Sequence, residues 1–218
     1  MKSRIYPAVI ALLLMCTSCA SVHVSAPAPY GVLPTEQQVE WQKMEFNMFV
    51  HFGPNTFSGD EWGSGQEKAE LFNPTAMDCR QWASIAKAAG MKGIIITGKH
   101  HDGFCMWNTA ETDFNIMKTG GRDVLAELAE ACRKYDMALS LYYSIPDWNH
   151  PCGYNELSTH QCVPEPGDMP DSEAYRAYVR AQVKELLTGY GPIYTWFWDI
   201  PPKIDDSSMN DYVRSLQP

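Results

Sequence analysis

Short apolar runs and segments of helical periodicity alternate along this chain. The apolar runs predict four strands, at residues 46–52, 93–97, 138–143 and 193–198. Apolar residues at helical spacing predict a helix after each of them, at residues 78–90, from 123, at 173–188 and at 207–216. The first two runs lack polar alternation, so we expect both strands to be buried. Repeated strand and helix predict a parallel sheet with helices outside it.

Polar residues follow the end of every predicted strand. His51 ends the first run, His100 and His101 follow the second, Tyr142 ends the third and Asp199 the fourth. Barrel enzymes place their active sites at the carboxyl ends of the strands. An open doubly wound sheet usually carries a Gly-rich phosphate turn, and the sequence has neither GxGxxG nor a P-loop. We therefore predict an α/β fold, a (β/α)8 TIM-type barrel with only about the first four βα units present in this chain.

The first residues have the pattern of an export signal. Lys2 and Arg4 precede the apolar run 7–15, which is too short to span a bilayer and ends near Cys19. Small residues before a cysteine predict a bacterial lipoprotein signal over residues 1–19, with lipidation of Cys19. Simple cleavage nearby is the alternative. We expect contact with a membrane only through that lipid. The protein is then expected in the periplasm or at the outer membrane, or else it is expected to be secreted. The Ser-, Ala- and Pro-rich residues 20–34 are typical of a tether.

Composition narrows the function classes. The formal net charge of −9 argues against a nucleic-acid or anionic-membrane surface. With 45% hydrophobic residues, the chain can form a core and is not disordered. Apart from Cys16 and Cys19 of the predicted signal, no two cysteines have CxxC spacing, which disfavours a structural zinc site, and no cofactor is predicted. Export would permit a disulfide between Cys152 and Cys162. We expect Cys132, which lies on a helical face, to be buried.

Four motifs resemble the α-L-fucosidases of glycoside hydrolase family 29, from about Trp41 to the end of the chain. They are MFVHFG at 48–53, Glu61-Trp62, KHHDGF at 99–104 and Tyr-Tyr-Ser at 142–144. The resemblance implies a retaining hydrolase with a (β/α)8 domain that removes terminal α-L-fucose from a fucosylated glycan. Its nucleophile, an aspartate at the end of the fourth strand, falls on Asp199. Its fucose-binding residues match His51, Glu61, Trp62, His100, His101 and Tyr142.

Each of these residues also has a structural interpretation. Asp199 could instead cap the next helix or bind backbone. On extended backbone His100 and His101 would point to opposite sides, so both reach one sugar only if the backbone turns. His101 could instead brace its loop, while a metal site is disfavoured because barrel hydrolases typically use His-x-His. Strand parity leaves Tyr142 and Tyr143 equivalent, and only the resemblance selects Tyr142.

The loops raise similar alternatives. Glu61 could accept sugar hydroxyls and Trp62 could form an apolar platform, or the pair could be a solvated acid beside a packed indole. Asp102 and Asp147 are interpreted as loop-fixing residues. After Asp199 the family commonly has glycine, in Trp-Phe-Asp-Gly, whereas this chain has Ile200, which leaves the shape of that loop open.

The resemblance also implies a missing partner for Asp199. Retaining hydrolysis needs a second carboxyl group as acid/base, which in this family comes from the second half of the barrel. We therefore expect residues 35–218 to be the N-terminal half of the catalytic domain, truncated and nearly inactive alone. The alternatives are a non-catalytic fucose- or sugar-binding lipoprotein, and a barrel hydrolase acting on another sugar.

Overall fold

A computed structural model of the chain describes residues 25–151, 172–200 and 207–218. The predicted signal, its Cys19 and the proposed Cys152–Cys162 pair lie outside the described residues. Residues 25–34 form no helix or strand and are exposed. Among the residues described, no helix combines the length and apolar character needed to cross a membrane. The chain divides into a small unit, residues 1–38, and a large one, residues 39–218.

The large unit is built on a parallel sheet. Its strands are β1 (Asn47–Val50), β2 (Gly93–Lys99), β3 (Ala138–Ser144) and β4 (Trp196–Asp199), hydrogen-bonded in the order β1-β2-β3-β4. All three pairings are parallel, so the four carboxyl ends lie at one edge. The predicted α/β class with a parallel sheet is therefore confirmed. Within the described ranges the sheet is open, and the closed barrel stays a prediction.

The helices follow the strands as the periodicity indicates. They are α1 (Glu36–Met44), α2 (Asn55–Ser58), α3 (Cys79–Ala88), α4 (Val124–Tyr135), α5 (Ser172–Gly189) and α6 (Ser208–Leu216). Asp78 caps α3 by accepting from the amides of Arg80 and Gln81, and Asp123 caps α4 through Ala126. Helix α1 was not predicted, because its sequence EQQVEWQKM is polar and carries little apolar periodicity.

The core lies around the two central strands. Ile94 and Ile96 of β2 and Leu141 of β3 are fully buried, and Cys132 of α4 is buried as expected. The prediction that the first run is buried was wrong, because Phe49 of β1 is 47% exposed, as is Phe197 of β4 at 42%. Both residues belong to edge strands of the open sheet. An edge strand has a neighbouring strand on one side only, so its side chains are covered less completely.

Candidate active site

Asp199 makes three contacts at the end of β4. Its Oδ2 accepts a hydrogen bond from the Tyr142 hydroxyl and lies 3.5 Å from Nε2 of His101. Its Oδ1 accepts from the amide of Ile200 at 2.9 Å. The side chain stays 36% exposed, so the carboxylate is held in place but open to a ligand. Burial, with Asp199 as a second cause, raises the pKa of Tyr142 far above its usual value, which keeps this phenol a donor.

A turn after β2 brings both histidines of the KHHDGF motif to one side. Strand register shifts between Thr97 and Lys99, and β2 ends at Lys99. The imidazole rings of His100 and His101 then lie 4.3 Å apart between centroids. Both histidines can reach one ligand only if the backbone turns after β2, and the backbone does turn there.

His51, which directly follows β1, completes this group. Its ring lies 4.5 Å from that of His100 and 6.2 Å from that of Tyr142. Burial lowers the pKa of His51, and the nearby Asp199 carboxylate partly opposes that shift. A largely neutral imidazole can both donate to and accept from hydroxyl groups. We call His51, His100, His101, Tyr142 and Asp199 the site group.

The loop that carries Glu61 and Trp62 is anchored beside the histidine turn. With its amide oriented to satisfy both neighbours, Asn55 donates to Asp102 at 3.0 Å and accepts from the amide of Gly63 at 3.1 Å. Burial raises the pKa of Asp102 to about 7. Glu61 and Trp62 themselves are exposed. The structure thus places the loop next to the site group without packing these two side chains into the core.

Trp148 and Asn149, which follow β3, hold the same loop from the other side. Asn149 donates to the carbonyl of Gly65 at 2.8 Å, and a Cβ on Gly65 would come within 2.4 Å of the Trp148 backbone. Only glycine permits so close an approach at its φ of +84°. Both loop-fixing interpretations agree with this geometry, because Asp102 accepts from Phe104 and Asp147 accepts from the amides of Asn149 and His150.

Comparisons with known proteins identify the family of this chain. Residues 29–216 match the sequence model of the family described as Alpha-L-fucosidase. This chain belongs to the α-L-fucosidase family. It is 39% identical to Alpha-L-fucosidase 1 of Arabidopsis thaliana over 171 residues, which is 77% of this chain and 31% of the relative. It is 35% identical to the plasma alpha-L-fucosidase of Homo sapiens over 166 residues, 72% of this chain and 32% of the relative. The chain thus spans about a third of these relatives.

Solved structures agree. A glycoside hydrolase 29 family member from an unknown rumen bacterium has a TM-score of 0.74 and 38% identity, over 87% of this chain and 35% of that one. A mutant glycoside hydrolase 29 fucosidase of Ruminococcus gnavus in complex with fucose has a TM-score of 0.68 and 31% identity, over 84% of this chain and 38% of that one. The family resemblance drawn from four motifs is confirmed.

Ile200 stands where the family resemblance predicts glycine, and its backbone has a conformation that glycine favours. Its φ is +45°, in the left-handed region that a β-branched residue rarely adopts. Glycine, which the family resemblance leads us to expect at this position, takes this conformation without strain. The backbone at Ile200 is therefore left-handed although its side chain is β-branched.

A second polar cluster lies behind the sheet and was not foreseen. Lys99 Nζ lies 2.9 Å from Oδ2 of Asp147, and both side chains are buried. Tyr178 donates to Asp147, Gln182 donates to Tyr178, and Tyr143 donates to Gln182. We call these five residues the buried network. The only sequence signal for it was a lysine two residues after the predicted strand 93–97.

A cation could also be held by three members of the site group. In the described ranges, ligand atoms of His100, His101 and Asp199 lie within 4.8 Å of one another. The His-x-His pattern is absent, but the turn after β2 gives adjacent histidines a similar convergence. Imidazole nitrogen and carboxylate oxygen would suit a divalent ion such as zinc.

Proposed function

We propose that this chain binds a terminal α-L-fucose residue of a glycan and that Asp199 is the nucleophile of a retaining hydrolysis. The observation that carries the proposal is the convergence of Tyr142 and His101 on one partly exposed carboxylate at the carboxyl end of a parallel sheet. Barrel enzymes use this edge for catalysis. The likeness to a fucosidase that was solved in complex with fucose supports the substrate class.

In the proposed reaction, an oxygen of Asp199 attacks the anomeric carbon of fucose. The bond from that carbon to the glycan oxygen breaks, and a covalent fucosyl-enzyme ester forms. Water then hydrolyses the ester, which releases fucose and restores the carboxylate. The Tyr142 hydroxyl stabilises the negative charge that the carboxylate carries before attack and regains afterwards.

The leaving glycan oxygen needs a proton from a second carboxyl group, about 5–5.5 Å from the nucleophile in retaining enzymes. We assign that role to no residue of the described ranges. Fucose binding and turnover are therefore tested separately.

Hydroxyl recognition is assigned to the rest of the site group. The rings of His51 and His100 lie edge to face with their centroids 4.5 Å apart, and their nitrogens can pair with neighbouring hydroxyls of one sugar. Trp62 offers an apolar face for the C5 methyl group, and Glu61 accepts from a hydroxyl. Both would act from the loop that is anchored on Asp102 and Trp148.

The test measures binding and turnover separately on the full 218-residue chain. Calorimetric titration with L-fucose should give saturable binding. In a version extended with the part of a relative that lies beyond the matched region, an aryl α-L-fucoside should be hydrolysed, and Asp199→Asn should reduce that rate to background. Asp113→Asn, which changes an exposed acid paired with Lys118, is the matched control and should leave the rate unchanged.

Three results would revise the proposal. Absence of fucose binding in the unmodified chain would overturn it. Undiminished turnover in Asp199→Asn would remove Asp199 from the nucleophile role. Fucose binding with no turnover even in the extended version would favour the alternative function, a non-catalytic sugar-binding protein.

A further inference from the structure

Ser144, the last residue of β3, lies between His101 and the backbone that follows it. Its Oγ is 2.6 Å from Nδ1 of His101 and 2.7 Å from the carbonyl oxygen of Pro146. The serine is fully buried and His101 is nearly so. The hydroxyl thus bridges a site histidine and a backbone carbonyl away from solvent.

The donors and acceptors in this bridge can be assigned. A carbonyl oxygen only accepts, and a serine hydroxyl has one hydrogen, so that hydrogen goes to Pro146. The hydroxyl oxygen can then only accept from His101. Its Nδ1 must therefore carry a hydrogen, and in the neutral ring Nε2 has a lone pair. That lone pair faces Oδ2 of Asp199 at 3.5 Å.

Packing holds the ring in this orientation. The indole of Trp148 lies 5.3 Å from the imidazole of His101, and the ring of His100 lies 4.3 Å from it. The amide of Trp148 also donates to the carbonyl of His101 at 2.8 Å, which fixes the backbone of the turn. These contacts limit rotation of the ring, so that Nδ1 stays beside Ser144 and Nε2 stays beside Asp199.

We infer that Ser144 is a positioning residue that sets the Nδ1–H tautomer of His101 and so presents Nε2 of that ring as an acceptor beside Asp199. The value of this for catalysis rests on the proposed function. Nε2 of His101 and Oδ2 of Asp199 are then two acceptors 3.5 Å apart, and a ligand hydroxyl can donate its hydrogen to either of them. Without the serine hydroxyl, a neutral His101 would gain by placing its hydrogen on Nε2 and donating to Asp199. The acceptor would then be lost and the carboxylate would be occupied.

The direct test is ¹⁵N NMR of the histidine side chains in the full chain. Two-bond couplings to the ring protons distinguish a protonated from an unprotonated nitrogen, and His101→Gln identifies the signals of His101. At a pH where the ring is neutral, the unmodified chain should show hydrogen on Nδ1 and none on Nε2. Ser144→Ala should show the reverse. Ser140→Ala, which removes another buried hydroxyl from the same strand, should leave the pattern unchanged.

Two outcomes would overturn the inference. One is a neutral His101 with its hydrogen on Nε2 in the unmodified chain, a result that needs no variant to fold. The other is a folded Ser144→Ala variant that keeps the hydrogen on Nδ1.

Fucose titration separates this inference from the proposed function. If the chain binds fucose, Ser144→Ala should weaken the affinity about tenfold, as expected for one lost hydrogen bond, and Ser140→Ala should not. If the unmodified chain binds no fucose, the proposed function fails, whereas the tautomer result still decides the role of Ser144. Fucose binding with an unaltered tautomer in Ser144→Ala would leave the function intact and remove this role.

Discussion

The site group and the buried network both draw residues from the central strands β2 and β3 and their carboxyl ends, but they differ in how their charges are satisfied. Tyr142 faces Asp199, whereas the next residue, Tyr143, faces Gln182 of α5 on the other side of the sheet. Behind the sheet, Lys99 and Asp147 are fully enclosed and paired. In front, Asp199 is partly exposed. One face thus supports the fold, and the other leaves a carboxylate available for chemistry.

The difference follows from what burial does to a charge. An enclosed ion needs a partner and further hydrogen bonds, because water no longer stabilises it. Asp147 has Lys99, Tyr178 and two backbone amides, and the Lys99 ammonium also lies 4.5 Å from the centre of the Tyr143 ring. Since Asp147 begins the turn that positions Trp148, the buried network also supports the loop next to His101.

Removing the cation should break this support most strongly. Lys99→Met keeps most of the side-chain volume but leaves the Asp147 carboxylate buried without its cation. We expect the free energy of unfolding to fall by about 3–5 kcal/mol. Urea denaturation followed by circular dichroism would measure it.

Lys87→Met is the matched control, because Lys87 pairs with Asp136 at 3.3 Å on the surface. Its loss should cost about 1 kcal/mol or less. Equal losses of unfolding free energy in the two variants would contradict the prediction. They would show that the enclosed ion pair stabilises the fold no more than the surface pair does.

The anchored loop gives a second, smaller test of how the two regions are joined. Gly65 and Gly59 both have φ near +80°, but a Cβ at Gly65 would meet the Trp148 backbone, whereas one at Gly59 would meet nothing within 4 Å. Gly65→Ala should therefore lower the free energy of unfolding by about 2–3 kcal/mol, through clash and backbone strain. Gly59→Ala should cost only the strain, about 1 kcal/mol.

Fucose titration of the same two variants adds a functional readout. The loop carries Glu61 and Trp62, so Gly65→Ala should weaken fucose binding more than Gly59→Ala does. A variant pair with equal stability and equal affinity would show that this close approach does not position the loop.

The sequence predicted the framework well because local patterns determine it. Apolar runs and the capping residues Asp78 and Asp123 define the central strands and two helices closely. Edge effects were missed, since exposure of Phe49 depends on which strand lies beside it. So were contacts across long sequence separations, such as those between Lys99 and Asp147 or Asn55 and Asp102, because no periodicity encodes them. The family motifs selected Tyr142, but the partners that orient His101 required coordinates.

The smallest expected effect concerns backbone strain beside the site group. Ile200 has a φ of +45° directly after Asp199, so Ile200→Gly should raise the free energy of unfolding by about 1 kcal/mol, as the left-handed strain is relieved. Asp136→Gly is the control, at φ +52° after α4, where aspartate is better tolerated and the gain should be smaller. Urea denaturation measures both. A loss of stability in Ile200→Gly would show that packing of the isoleucine outweighs its backbone strain, and that the site stores no strain in this turn.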